Sequence, residues 1–214
     1  MIFKQKIKYR YHGKFDPELL QSDNIDRLST TLVPNYSKVL ELGCANGYMS
    51  RYFKLKKHCS VIGVDINPLV KPTIVGDLNL ISTWKKIKVK KPFDVVFASA
   101  ILEHLLQPEL TLQLIKSVLK TKGILIVTLP NISHWRQRLD CLLGRFEYQD
   151  YGQLDRTHLR FFNYFTAQKL ITAAGFKIKS ISYDPAGGIK YLNWLVKYWP
   201  NLYAYQICIE AINC

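Results

Sequence analysis

The chain has 214 residues, 48% of them hydrophobic, and carries 30 Lys and Arg against 16 Asp and Glu, a net charge of +14. That length suits one domain with a full core, and five cysteines without a C-x-x-C pair argue against a disulfide framework or a zinc site and for a reducing compartment. No apolar leader follows Met1 and no apolar run reaches membrane-span length, so a cytoplasmic location is expected; the basic excess fits nucleic acid, an anionic surface or an acidic partner without choosing among them.

Residues 1–36 are polar and basic, with Tyr9, Tyr11 and Phe15 among them. Asp16-Pro17 and Ser22-Asp23 read as helix starts, so a short helical lead-in is predicted. The chain is organised around the next stretch, Lys38 to Ser50, K-V-L-E-L-G-C-A-N-G-Y-M-S. Val39, Leu40 and Leu42 predict a buried strand, Gly43 to Gly47 a tight turn, and Tyr48 to Lys56 a helix. A dinucleotide fingerprint would need glycines at 45 and 48, where Ala45 and Tyr48 stand, and no Gly-Lys-Ser/Thr follows to make a P-loop. Glu41 would repel a phosphate and welcome a cationic ligand without one. S-adenosyl-L-methionine (SAM), with a sulfonium and an ammonium, is such a ligand. The pattern E-x-G-x-x-x-G after a strand resembles the first motif of class I SAM-dependent methyltransferases. The resemblance implies a cofactor turn of Glu41, Gly43, Cys44, Ala45 and Gly47, with S-adenosyl-L-homocysteine as product.

Ser60 to Val64 predicts a second strand, ending V-D-I-N-P. Asp65 lies about 20 residues past the glycine turn, where a strand-end acid meets ribose hydroxyls, with Ile66 beside it; the competing reading is a turn-forming Asp before Asn-Pro. Thr73 to Val75 is a third strand. The resemblance places Asp77 and Leu78 against the adenine, although Asp77 also reads as a helix N-cap. The lysine-rich run Ile81 to Lys91 precedes the strand Phe93 to Ala98, on the side away from the ligand-binding strand ends. The resemblance puts Ala98, Ser99 and Ala100 beside the methionine part of SAM. No Asn/Asp-Pro-Pro-aromatic or Pro-Cys motif of base-modifying enzymes stands there.

Glu103 and His104 predict the start of a helix running to Lys120 and closed by Gly123. Ile124 to Leu129 is the fifth strand. Residues 131–165 then read as an insertion over the site, with an amphipathic helix from Ser133 to Leu143. A helix from Ala167 to Ala174 after Thr166, a strand from Lys177 to Tyr183, a helix from Tyr191 stopped by Pro200, and a last strand from Tyr203 complete the chain. The alternation predicts an α/β, doubly wound, seven-stranded and mostly parallel sheet, and the resemblance implies that the last strand is antiparallel. One domain, 1–214, is expected. More narrowly, L-P-N-I-S-H-W-R-Q-R-L-D-C-L-L-G-R-F-E-Y and L-D-R-T-H-L-R-F-F resemble a bacterial subgroup related to methionine-biosynthesis W-like proteins and to methyltransferases of polysaccharide clusters.

An alcohol or amine acceptor must lose a proton during transfer, a task suited to histidine. His158 is the first candidate base and His104 the second; a loop histidine bonded to backbone is the competing reading for His158. Arg136, Arg138, Arg145, Arg156 and Arg160 suit a phosphate or carboxylate on the acceptor, or else pair with Glu147, Asp150 and Asp155. O-methylation of a small molecule or glycan, anionic in the case that the arginines face it, is the reading preferred. Nucleic acid as acceptor is disfavoured, and a non-catalytic W-like partner protein is the third reading. No metal site is expected.

Overall fold

The computed structural model describes residues 16–185 and 190–214, the side chains of 190–193 excepted. Tyr9, Tyr11 and Phe15, and the middle of the loop after Asp184, lie outside the described residues. One sheet of seven strands forms the centre: β1 (Lys38–Leu42), β2 (Ser60–Asp65), β3 (Ile74–Val75), β4 (Phe93–Ser99), β5 (Leu119–Pro130), β6 (Phe176–Asp184) and β7 (Gln206–Asn213). Their order is β3-β2-β1-β4-β5-β7-β6. The first five are parallel, and β7 slots antiparallel between β5 and β6. The chain order therefore reverses beside β1, and β1 and β4 end side by side at the switch point where open α/β sheets bind ligands.

Alternation along each strand sorts the core into two layers. Leu40, Leu42, Val64, Val96, Leu125 and Val127 face α3 (Ile81–Lys88), α4 (Pro108–Val118) and α6 (Tyr164–Ala173), through Trp84, Ile87, Leu112, Ile115 and Ile171. Val39, Val61, Val95, Phe97 and Ile126 face α1 (Ile25–Thr31) and α2 (Tyr48–Lys56), through Ile25, Met49, Tyr52 and Phe53. Burying side chains as large as Trp84 and Phe53 stabilises each layer by about 1.5–3 kcal/mol per residue.

Several expected boundaries move. α1 is capped by Asn24, whose side chain accepts from the Asp26 amide, rather than starting at Ser22-Asp23. Glu103 and His104 sit in a 3-10 turn, Leu102–His104, and the α-helix begins at Pro108, where a missing N–H costs nothing. Gly123 lies inside β5 rather than closing α4: residues 120–123 bulge out of the pairing, with Lys122 at φ 61°, before the register resumes at Val95–Ile124. Helix α5 (Trp135–Leu142) starts two residues later than expected, capped by His134. α6 starts at Tyr164, three residues earlier than expected, and is capped by Asn163; Thr166 is not the N-cap but lies in the first turn, in a reciprocal capping box with Asn163. Pro200 opens α7 (Pro200–Tyr203) rather than only stopping what precedes it. The lysine run occupies the last turns of α3 and the link to Phe93, so it lies at the amino ends of the strands, away from the switch point.

Candidate active site

Glu41 is the only acid of β1, and strand alternation turns it toward α2, where the Ser50 hydroxyl donates to its carboxylate. It is 3% exposed. Burial pushes its pKa up to about 7, against the lowering pull of the Ser50 bond and the Lys54 charge and with the help of the Asp65 charge. The turn that follows leaves the sheet through Gly43 at φ 69° and reaches α2 through Gly47 at φ 70°, conformations that glycine adopts freely. A Cβ on Gly43 would stand 2.8 Å from Ile101 Cδ1.

Asp65 ends β2 alongside this turn. One of its oxygens accepts from the Ala45 amide at 2.8 Å and the other from the Asn67 amide at 2.8 Å. Its carboxylate therefore clamps the glycine turn, and its remaining lone pairs are what it can offer a ribose. Ile66, next in the chain, is 56% exposed and presents an apolar face at the rim. Asp77 makes an Asx turn onto the Asn79 amide, and Leu80 is the residue at the start of α3, so Asp77 is not that helix's N-cap. Leu78 is buried in the core.

At the end of β4, Ala98 is buried, Ser99 bonds Thr128 at 2.9 Å, and Ala100 takes φ 48°. The Ala100 amide donates to the Thr128 hydroxyl at 3.0 Å and to its carbonyl at 3.2 Å. Ala45, at φ 47°, is likewise held by Asp65. Two left-handed alanines, each fixed by a neighbouring strand, flank the switch point; backbone strain of this kind gathers where a ligand must be gripped.

Of the sequence-predicted site residues, Glu41, Gly43, Cys44, Ser99 and Ala100 line a cavity of about 150 Å³, whereas Asp65, Ile66, Asp77, Leu78 and Ala98 do not. Asp26, Tyr48, Thr128 and Gln206 add polar groups to its lining, and none of them was singled out from the sequence as a site residue. Thr128 had a signal, a lone hydroxyl in the apolar run of β5. Gln206 had none, because only the insertion of β7 beside β5 brings it there. Burial raises the Cys44 thiol to about 12, with Glu41 and Asp65 adding to it, so it is an inert wall. A second hollow of about 310 Å³, lined by Ala45, Gly47, Arg51 and Lys71, opens on the other side of the turn.

The insertion comes back onto the turn after β4. The amides of Leu159 and Arg160 donate to the Glu103 carbonyl at 2.8 and 3.0 Å. This brings His158 against His104, ring centroids 4.8 Å apart and nearly perpendicular. His158 Nδ1 bonds the Gln153 carbonyl at 3.1 Å, and His104 Nδ1 bonds the Thr157 carbonyl at 3.2 Å. Burial holds both rings below the usual histidine range, and for His158 the neighbouring His104 adds to the effect. Both shifts favour the neutral imidazole. Glu103 is 1% exposed, one of its oxygens has no hydrogen-bond partner among the described residues, and burial pushes its pKa up to about 8.

The arginines are mostly spent on backbone. Arg138 donates to the Ser133 carbonyl at 2.6 Å, Arg160 to the Leu106 carbonyl at 2.7 Å, and Arg136 lies over the Trp135 ring. Arg156 pairs with Asp150 at 3.4 Å, one of the acid pairings considered from the sequence. No helix among the described residues is long and apolar enough to cross a membrane.

A family model described as a methyltransferase domain matches residues 11–181. Among solved structures, a SAM-dependent methyltransferase from Archaeoglobus fulgidus superposes with a TM-score of 0.61 at 18% identity, covering 92% of this chain and 94% of that one. A SAM-dependent methyltransferase from Thermotoga maritima, described as a possible histamine N-methyltransferase, gives 0.57 at 15% identity over 88% and 86%. A complex of the Haloferax volcanii Trm112 methyltransferase activator with a methyltransferase gives 0.58 at 13% identity over 88% and 88%. At these identities the likeness is one of fold. No curated protein matches the sequence.

Proposed function

The chain belongs to the methyltransferase domain family, and from that premise we propose that it moves the methyl group of SAM to a hydroxyl of a small molecule or glycan. When bound, SAM supplies a methyl already activated by its sulfonium. The fit rests on charge: Glu41 and Asp26 are buried acidic side chains lining the cavity, and cations beside such groups stabilise their ionised forms. The ammonium and sulfonium of SAM would be those cations. Glu41, Gly43, Cys44, Ala45, Gly47, Ser99 and Ala100 would hold its methionine end, and Asp65, Ile66, Asp77 and Leu78 its adenosine.

The observation that carries the choice of acceptor is the pair of half-buried histidines formed by His104, on the turn after β4, and His158, on the loop folded over it. Each Nδ1 faces a carbonyl, which accepts only, so the ring proton sits there and Nε2 keeps a free lone pair. Such a nitrogen can take the proton of an acceptor hydroxyl, with His158 as first candidate and His104 as second. The insertion 131–165 would roof the methyl end. Its resemblance to methyltransferases of polysaccharide clusters favours a sugar-like acceptor. With Arg138 and Arg160 engaged by carbonyls, Arg136 and Arg145 are the arginines left to meet a phosphate or carboxylate on it. Sugars, sugar phosphates and bacterial glycans screened with methyl-labelled SAM test the reading. Label appearing on RNA and on none of these would overturn it.

Glu41 makes SAM affinity depend on pH. Its pKa of about 7 means the ligand-free protein holds it mostly protonated below that value. A cationic ligand favours the carboxylate, so binding expels the proton, and affinity falls as pH drops below 7. Calorimetry should find SAM binding about tenfold weaker at pH 6 than at pH 8. Glu41→Gln should bind more weakly throughout and lose that slope; a slope kept by the variant would assign it to another group.

A further inference from the structure

We propose that Glu103, His104 and His158 form a binding site for a divalent first-row transition-metal ion, held by one carboxylate oxygen and two imidazole Nε2 atoms. Cysteine spacing offers no such site, and the three residues meet only because the loop 153–160 folds back onto the turn after β4. One ligand atom from each lies within 4.8 Å of the others. Atoms bound at about 2.0–2.2 Å to a common ion stand at most about 4.4 Å apart, so the three groups must draw together on binding.

Three features favour an ion here, the last two resting on the same hydrogen bonds. The first is the orphan: the Glu103 side chain is 1% exposed, yet its Oε2 has no partner among the described residues. A buried carboxyl oxygen with no hydrogen-bond partner is costly, and a cation bound to it relieves that cost. The second is the tautomer. His158 Nδ1 faces the Gln153 carbonyl, so the proton is on Nδ1. His104 Nδ1 faces the Thr157 carbonyl and also the Thr157 hydroxyl, whose own proton goes to Asp155 at 2.6 Å. Both neighbours of that nitrogen accept, so its proton is on Nδ1 too. Each Nε2 is thus an unprotonated donor of a lone pair. The third is the outer layer itself: metal-bound histidines characteristically give their other N–H to a backbone carbonyl or carboxylate, and here both do.

Two nitrogens and one carboxylate oxygen on one side leave positions open for a ligand from solution. Imidazole donors favour iron(II), cobalt, nickel, copper or zinc over calcium and magnesium, which take oxygen, while the carboxylate also admits manganese. A hydroxyl bound to such an ion becomes more acidic, as bound water does. With the ion bound, His104 and His158 would serve as its ligands, and the ion, rather than either Nε2, would ease loss of the acceptor hydroxyl's proton to solvent. That last point rests on the methyl-transfer reading; the site itself does not.

Chelator-stripped full-length protein, without SAM or acceptor, is titrated by calorimetry with Mn²⁺, Co²⁺ and Zn²⁺ separately. Near one ion per chain is expected, with Co²⁺ broadening the imidazole Nε2 resonances of His104 and His158. Glu103→Gln and His104→Ala, checked for native circular dichroism, should each weaken binding at least about 10–100-fold. No binding of any of the three ions by wild type would overturn the site. So would binding that all of these variants and His158→Ala retain, since that ion would sit elsewhere. SAM titrated into the same samples keeps the two questions apart: a protein that binds SAM and no metal refutes only the metal site.

Discussion

The His158→Ala variant should bind SAM with nearly unchanged affinity and transfer its methyl group about 10²–10⁴-fold more slowly, the usual range for a lost general acid–base or acceptor-activating group. The expectation follows from placement. His158 is on the loop that the Leu159 and Arg160 amides fasten to the Glu103 carbonyl, and it is not among the residues lining the acid-walled cavity. Its Nδ1 is tied to the Gln153 carbonyl, so the ring is oriented before any acceptor arrives. Single-turnover transfer to an acceptor found by screening is the readout, with SAM affinity measured on the same preparation. A variant that turns over at the wild-type rate would leave His158 a structural residue of the loop. His104, whose ring stands 4.8 Å away, would then be the better assignment.

Gly43→Val should weaken SAM binding at least about 100-fold. Two costs add. The residue sits at φ 69°, where a β-branched side chain is held at about 1–3 kcal/mol of strain. Its Cβ would also lie 2.8 Å from Ile101 Cδ1 and 3.3 Å from Ile101 Cγ1, so Ile101 must move from where it stands beside the turn. Both costs fall on the segment between Glu41 and α2 that would carry the ligand. Gly47 shares the positive φ but has open space where its Cβ would go, so Gly47→Ala should be milder. Thermal melts of both variants separate a lost site from a lost fold. Wild-type SAM affinity in a folded Gly43→Val protein would show that the ligand does not use this turn.

The sheet was legible because burial on both faces writes a parallel strand as a continuous apolar run, as in K-V-L-E-L and F-D-V-V-F-A. The helix ends were less so. Gly123 reads as a helix stop in sequence, yet the chain uses it in a bulge whose partner, Phe93 to Val95, is about 30 residues away. Pro200 reads as a breaker and serves as a first helical residue, because the same missing N–H permits both roles. Within the site, Glu41, Gly43 and Gly47 announced themselves through local spacing. Asp65 did too, but the two hydrogen bonds it accepts from the Ala45 and Asn67 amides are a fact of three dimensions. Glu103 stood in plain view beside His104 and was read as the start of a helix. Its meaning depends on the loop 153–160 closing over it, a contact across about 50 residues that no local pattern encodes.

Calorimetry of the wild-type chain with SAM and with NAD is the most direct test of the central claim, that the acid-walled turn after β1 holds a cationic nucleoside and not a pyrophosphate. One SAM per chain should bind, S-adenosyl-L-homocysteine should compete with it, and NAD should show no preference over buffer. Tight binding of NAD with none of SAM or S-adenosyl-L-homocysteine would contradict the account.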